Sequence, residues 1–229
     1  LYMPDSDISK INAGDTTVVV DAMFKEVLAL SRKVYQATNG YYDPTVGILV
    51  NAYGFGPGKP LKQLDSTTLD SLKAYVGLDK IKISEKGKII KDDKSVYLDF
   101  NSIAKGYCID RIGAMLEENG VEHYLIELGG ELLAHGKNLS KGQAWRVGIE
   151  NINAPVTDRD YTEAVSLENK GMAGSGNYRK FRVDSVTGQR YVHTVNPLTG
   201  LAEKSDVLSS TVIASTCAEA DAYATTFMA

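Results

Sequence analysis

The sequence has little of the material on which several protein classes depend. It holds two cysteines, Cys108 and Cys217, too few for a disulfide framework and without the spacing of a zinc site. Its three histidines, His123, His135 and His193, show no metal-ligand spacing either, so no zinc centre is expected. No apolar run reaches the roughly 18 residues of a membrane-spanning helix, and no charged-then-apolar leader opens the chain. An excess of basic charge is also missing, since 25 Lys and Arg face 29 Asp and Glu for a formal net charge of -4. That balance provides no electrostatic footprint for nucleic acid. Any phosphate-bearing ligand has to be held locally, by a metal or a few amides.

What is present is an ordinary globular composition, 43% hydrophobic and 24% charged over 229 residues, with material for one sizeable core. A single domain over 1–229 is expected. The chain begins at Leu1 without an initiator Met and stops at Ala229 inside an apolar helical pattern, so trimming at both ends is expected too. Helical spacing of Met23, Val27, Leu30 and Val34 predicts a core-facing helix within 20–39, stopped by Asn39-Gly40. Another is expected over 67–76, with Thr67 and Asp70 as a capping box and Gly77 as terminator. Strands are predicted around the Glu85-Lys86-Gly87 turn and over 96–100, 121–128, 145–149 and 207–215. The second of these is expected to enter a helix at about Asn101 that carries Ile103, Tyr107, Ile112 and Leu116. Thr216 and Glu219 announce a last helix, and the polar stretch 151–161, with Asp158, Arg159 and Asp160, reads as a surface loop. Helices and strands mix without a βαβ rhythm, which favours α+β over a doubly wound sheet.

Four segments could carry chemistry. Tyr41-Tyr42-Asp43-Pro44-Thr45-Val46-Gly47 leads to Tyr53-Gly54-Phe55-Gly56-Pro57-Gly58, glycines beside aromatics, as suits a backbone that approaches a flat ligand while rings stack on it. A pair of turns with core tyrosines is the plainer alternative. In Asp99-Phe100-Asn101-Ser102-Ile103-Ala104-Lys105-Gly106 a strand hands over to a helix, whose first amides and Lys105 could seat a phosphate, or simply form a capping turn. On the last helix Asp221 and Thr225 lie four apart, hence on one face, and offer hard oxygens of the kind Mg²⁺ accepts. The alternative is an exposed Asp and a Thr bonded back to its own helix, against which the apolar neighbours Ala220, Ala222, Ala224 and Phe227 argue. Last come Gly174-Ser175-Gly176-Asn177-Tyr178 and the tight turn after His193, through Asn196-Pro197-Leu198-Thr199-Gly200.

In this order, together with Tyr2-Met3-Pro4-Asp5-Ser6, Gly129-Gly130-Glu131 and Ala220-Asp221-Ala222, these segments resemble the ApbE family of FAD:protein FMN transferases. The resemblance implies mixed, largely antiparallel sheets flanked by helices, in a T-fold-like architecture. It implies FAD contacts at Tyr2, Tyr41, Tyr42, Asp43, Asp99, Lys105 and the backbone of Val195. Mg²⁺ would be held by the carbonyl of Ser102 with Asp221 and Thr225, and His193 matches a histidine important for activity. Lys105, His193 and Asp99 are the implied catalytic set, with Asp99 and His193 both open as the base. The implied acceptor is a Thr or Ser hydroxyl in a flavoprotein subunit of a membrane redox complex, and the implied location is extracytoplasmic, periplasmic or as a membrane-anchored lipoprotein. An FAD diphosphatase and a non-catalytic FAD-binding protein are the alternatives. One departure stands out: the family's Thr-Ser-Gly-Asp reads Gly174-Ser175-Gly176-Asn177 here, without one hydroxyl and one carboxylate.

Overall fold

A computed structural model describes residues 2–61, 64–154, 160–177, 181–183, 188, 190–202 and 206–229. Asp158, Arg159 and Tyr178 lie outside the described residues. In chain order the helices are α1 (Asp7–Asn12), α2 (Ala22–Ala37), α3 (Gly47–Ala52), α4 (Ser66–Lys73), α5 (Ala104–Glu118) and α6 (Cys217–Thr226). The strands are β1 (Ile81–Ile83), β2 (Ile89–Lys91), β3 (Tyr124–Leu128), β4 (Glu131–His135), β5 (Trp145–Glu150), β6 (Tyr161–Leu167), β7 (Lys170–Gly176), β8 (Phe181–Val183), β9 (Arg190–Val192) and β10 (Ser209–Ala214). Every described ladder is antiparallel, and the fold is α+β. Both cysteines are free.

Packing divides the chain into two units, Leu1–Ser102 with Arg179–Ser205 and Ala229, and Ile103–Tyr178 with Asp206–Met228. In the first, Asp21 caps α2 by accepting from the amide of Phe24, and Val27, Leu28 and Val34 turn inward while Met23 stays exposed. The helix stops where Asn39 and Gly40 take left-handed backbone at φ 51° and 85°. Asp65, not Thr67, caps α4, because its carboxylate reaches the amide of Thr68 from two residues before the position that the capping-box spacing gave the cap. Leu49 of α3 and Tyr53, its C-cap, close a core with Val195 and Ala202, backed by Leu69 and Leu72 of α4.

The strand expected over 96–100 does not form. Its backbone is held otherwise: Asn12 bonds both the N–H and the C=O of Leu98, at 2.9 and 2.8 Å, and the amide of Asp99 donates to Pro44 O at 2.7 Å. Only an isolated parallel bridge, Val46 to Tyr97, has strand character. The following helix starts at Ala104 rather than Asn101, since Asp99 holds Asn101 in a turn first. Its inward residues are Gly106, Ile109 and Gly113, whereas Ile112 is exposed.

The second unit is built on a four-stranded sheet of order β10-β7-β4-β3. Alternation along β7 sends Ala173 toward Ala220 and Ala224 of α6, and Met172 to the other face, where it packs with Val147 of β5 and Leu167 of β6. Thr216 caps α6 by accepting from the amide of Glu219, as the capping-box pattern predicts.

Candidate active site

Two sequence segments meet within the first unit. The Asp43–Gly47 run lies along Tyr97–Asp99, and a Cβ at Gly47 would come within 2.6 Å of the Tyr97 ring and 3.1 Å of Asp99 Cβ. Here the glycine serves the close approach of the chain to itself. The same holds downstream, where Asn51 Oδ1 accepts from the amide of Gly58 at 3.1 Å and a Cβ at Gly56 would overlap the Asn51 side chain. Asp99 is nearly buried and well supplied with donors: Tyr2 Oη bonds Oδ2 at 2.8 Å, and the amide and side-chain nitrogens of Asn101 bond Oδ1 at 2.8 and 2.7 Å. Burial first, and then the charge of Asp99, push the Tyr2 phenol up, so it stays a donor.

The remaining residues of that unit divide into exposed and internal. Tyr2 and Tyr41 are 42% and 45% exposed and offer ring faces, whereas Tyr42 is 2% exposed, with its hydroxyl 3.2 Å from Ser31 Oγ. A ring so enclosed supports the core from behind; stacking on a ligand needs an open face. Asp43 is also buried, and its Oδ1 accepts from the amide and hydroxyl of Thr45 at 2.8 and 2.6 Å while that hydroxyl accepts from the amide of Gly77 at 2.7 Å. Burial raises its carboxyl above the usual range. Val195 is buried beside Leu49, and His193 packs edge-on to Phe55 with ring centroids 6.5 Å apart.

The second unit brings Asp221 and Thr225 onto one face of α6, but Asp221 is 5% exposed, which disposes of the exposed-Asp alternative. Its Oδ2 accepts from the amide of Gly106 at 3.0 Å, so a helix-start amide that the sequence offers to a phosphate is already taken by a side chain of the same unit. Thr225 Oγ1 lies 3.3 Å from Ser175 Oγ, two hydroxyls side by side. Lys105 pairs with the buried carboxylate of Glu131 and lies 3.5 Å from Gly129 O. Ser102 closes the first unit, directly before Ile103, the N-cap of α5.

The sequence reading gave no role to Glu131 or Asp110. Asp110 accepts from the amides of Cys217 and Ala218, both at 2.8 Å. The available signal was an acid next to Ile109 on the inward stripe of α5, a position that is costly without a partner. Asp221 is pushed up to about 6, chiefly by burial, with the charges of Glu131 and Asp110 adding and the Gly106 amide and Lys105 opposing. A buried carboxylate under that strain, one turn from a hydroxyl, fits a small hard cation such as Mg²⁺.

A pH dependence follows. The folded value lies above the ordinary 3.8, so the folded chain binds this proton more tightly than the unfolded chain, and the associated stability is lost as pH rises to about 6. A shift of that size amounts to roughly 3 kcal/mol. Without metal the melting temperature should therefore fall between pH 4.5 and 7 more in the wild type than in Asp221→Asn, and any rise brought by Mg²⁺ should shrink as pH falls below about 6. Melts across that range, with and without Mg²⁺, check both, and identical pH profiles for the two proteins would refute the assignment.

A sequence model of the ApbE family matches residues 1–229. The FAD:protein FMN transferase of Haemophilus influenzae is 37% identical over 98% of this chain and 66% of its own length. That of Escherichia coli K12 is 32% identical over 99% of the chain and 65% of its own length. The chain thus spans just under two thirds of these relatives. Among solved structures, flavin transferase ApbE from Vibrio cholerae superposes with a TM-score of 0.82 at 32% identity, over 99% of this chain and 71% of that one. The apo form of Pseudomonas stutzeri flavinyl transferase ApbE gives 0.83 at 31%, over 99% and 69%.

Proposed function

The chain belongs to the ApbE family, and from that premise we propose that it is a flavin transferase, which cleaves FAD and joins the FMN half through a phosphoester to a Thr or Ser hydroxyl of an acceptor flavoprotein, releasing AMP. The observation that carries this reading is the buried Asp221 with Thr225 one turn on. Asp221, Thr225 and the carbonyl of Ser102 would hold Mg²⁺, which when bound supplies charge stabilisation for the phosphate oxygens displaced as the diphosphate splits. Ser175 adds a hydroxyl beside Thr225, while Gly174 and Asn177 leave the neighbourhood without the family's Thr and Asp.

The protein's own groups divide the remaining work. Lys105 provides a full positive charge for the phosphate, and the exposed rings of Tyr2 and Tyr41 cover the flavin. The acceptor hydroxyl gives its proton to Asp99 or His193. For Asp99 that requires a lone pair now engaged by Tyr2 or Asn101, and the half-exposed Tyr2 is the partner more easily displaced. The acceptor belongs to a membrane redox complex and the reaction is extracytoplasmic, as the resemblance implies.

Incubation with FAD, Mg²⁺ and an acceptor domain carrying a single candidate Thr tests the proposal. Mass spectrometry should find an FMN adduct on that Thr, and chromatography should find AMP released in step with it. Intact FAD would indicate a binding protein. Free FMN and AMP forming equally fast without acceptor would indicate a diphosphatase.

A further inference from the structure

Helices α5 and α6 cap each other. Asp110, on the second turn of α5, accepts at 2.8 Å from each of the first two amides of α6, those of Cys217 and Ala218. In return Asp221 of α6 accepts at 3.0 Å from the amide of Gly106, in the first turn of α5. Free amides at a helix start need acceptors, and each helix here supplies them to the other. The approach is close because glycines allow it: a Cβ at Gly106 would lie 2.8 Å from Ala218 Cα, and one at Gly171 would come within 2.5 Å of Cys217 Cα. With Thr216 accepting from Glu219, three successive amides at the start of α6 have side-chain acceptors.

We infer that Asp110 is a positioning residue for the cation seat: by fixing the start of α6 against α5 it sets where Asp221 and Thr225 present their oxygens. The inference rests on the reading of α6 as that seat. Two parallel bonds from successive amides fix a carboxylate in both position and orientation, and α6 can then neither slide nor rotate on α5 without breaking them. Asp221 follows one helical turn later on the same short, alanine-lined helix, which leaves the seat little independent freedom. An Asn at position 110 keeps one acceptor but turns an N–H₂ toward the other amide, so it loosens the clamp without emptying the position.

The test uses Mn²⁺ as a paramagnetic probe, titrated into wild type, Asp110→Asn and Asp110→Ala and followed by electron paramagnetic resonance. FAD affinity is measured in parallel by flavin fluorescence without metal. Loss of a residue that holds a metal ligand in place costs about 10–100-fold in metal affinity, so Kd for Mn²⁺ should rise about tenfold in the Asn variant and further in Ala. FAD affinity should stay within about twofold, because the bonds of Asp110 go to α6, whereas those of Lys105 go to Glu131 and Gly129. Should the Ala variant fail to fold, the Asn variant decides. Unchanged Mn²⁺ affinity in Asp110→Asn, or a parallel loss of Mn²⁺ and FAD affinity, would overturn the inference. A wild type that binds no Mn²⁺ would remove the seat and the inference together, whereas binding equal in wild type and variant would strike Asp110 alone.

Discussion

Asp221→Asn should lower FAD cleavage by about 10³ while melting no lower than the metal-free wild type at pH 7, and Asp221→Ala should lose both rate and stability. The two substitutions separate the jobs of one side chain. Its Oδ2 accepts from the Gly106 amide, and Asn keeps an oxygen there, whereas Ala leaves that amide buried without a partner at a cost of about 1–3 kcal/mol. Asn also removes the charge that burial, Glu131 and Asp110 all oppose, so above about pH 6 it should stabilise the metal-free fold. That same charge is what a divalent cation needs. A cation's help to a phosphoryl group is worth several kcal/mol, and at about 1.4 kcal/mol per tenfold its loss gives the expected rate. Initial rates of AMP release at saturating Mg²⁺, with melts of all three proteins, read both effects. A wild-type rate in Asp221→Asn would end the metal assignment.

That residue also shows how far the sequence was legible. Four-residue spacing on an alanine-rich helix was enough to pair Asp221 with Thr225, and the Thr216 and Glu219 pattern placed the start of α6 correctly, because both are local regularities of helix geometry. The left-handed stop at Asn39-Gly40 was legible for the same reason. What escaped were bonds between segments distant in sequence. Asn12 satisfies the backbone of Leu98 from 86 residues away, which replaces a strand that the apolar pattern of 96–100 favoured. Asp110 and Asp221 find their amides on each other's helices, over 107 and 115 residues, and no spacing rule reaches that far. The tyrosines make the complementary point. Adjacent Tyr41 and Tyr42 look alike as letters, yet one is exposed and the other is enclosed beside Ser31, so only Tyr41 has a face to offer a flavin. Glycines at 47 and 56, read as room for a ligand, turned out to make room for Tyr97 and Asn51.

Lys105→Ala should slow turnover by about 10² and also destabilise the protein, and the second effect should be reversible without the first. The ammonium is partly exposed, but its partner Glu131 has only 3% of its side chain open to solvent. Burial raises the Glu131 carboxyl and the Lys105 charge is what holds it down, so without Lys105 that carboxyl rises further and takes up a proton rather than stay charged. Protonation limits the cost to about 1–2 kcal/mol, below the 3–5 kcal/mol of a fully buried pair that loses one member. Adding Glu131→Gln removes the stranded acid altogether, and the double variant should regain the wild-type melting temperature at pH 7. Its turnover should stay low, because a neutral pair brings no positive charge to the phosphate. Melting curves and single-turnover rates of AMP release for the two single variants and the double variant complete the cycle. Recovery of rate along with stability would mean that Lys105 serves only to neutralise Glu131, and another cation would then have to be sought for the phosphate.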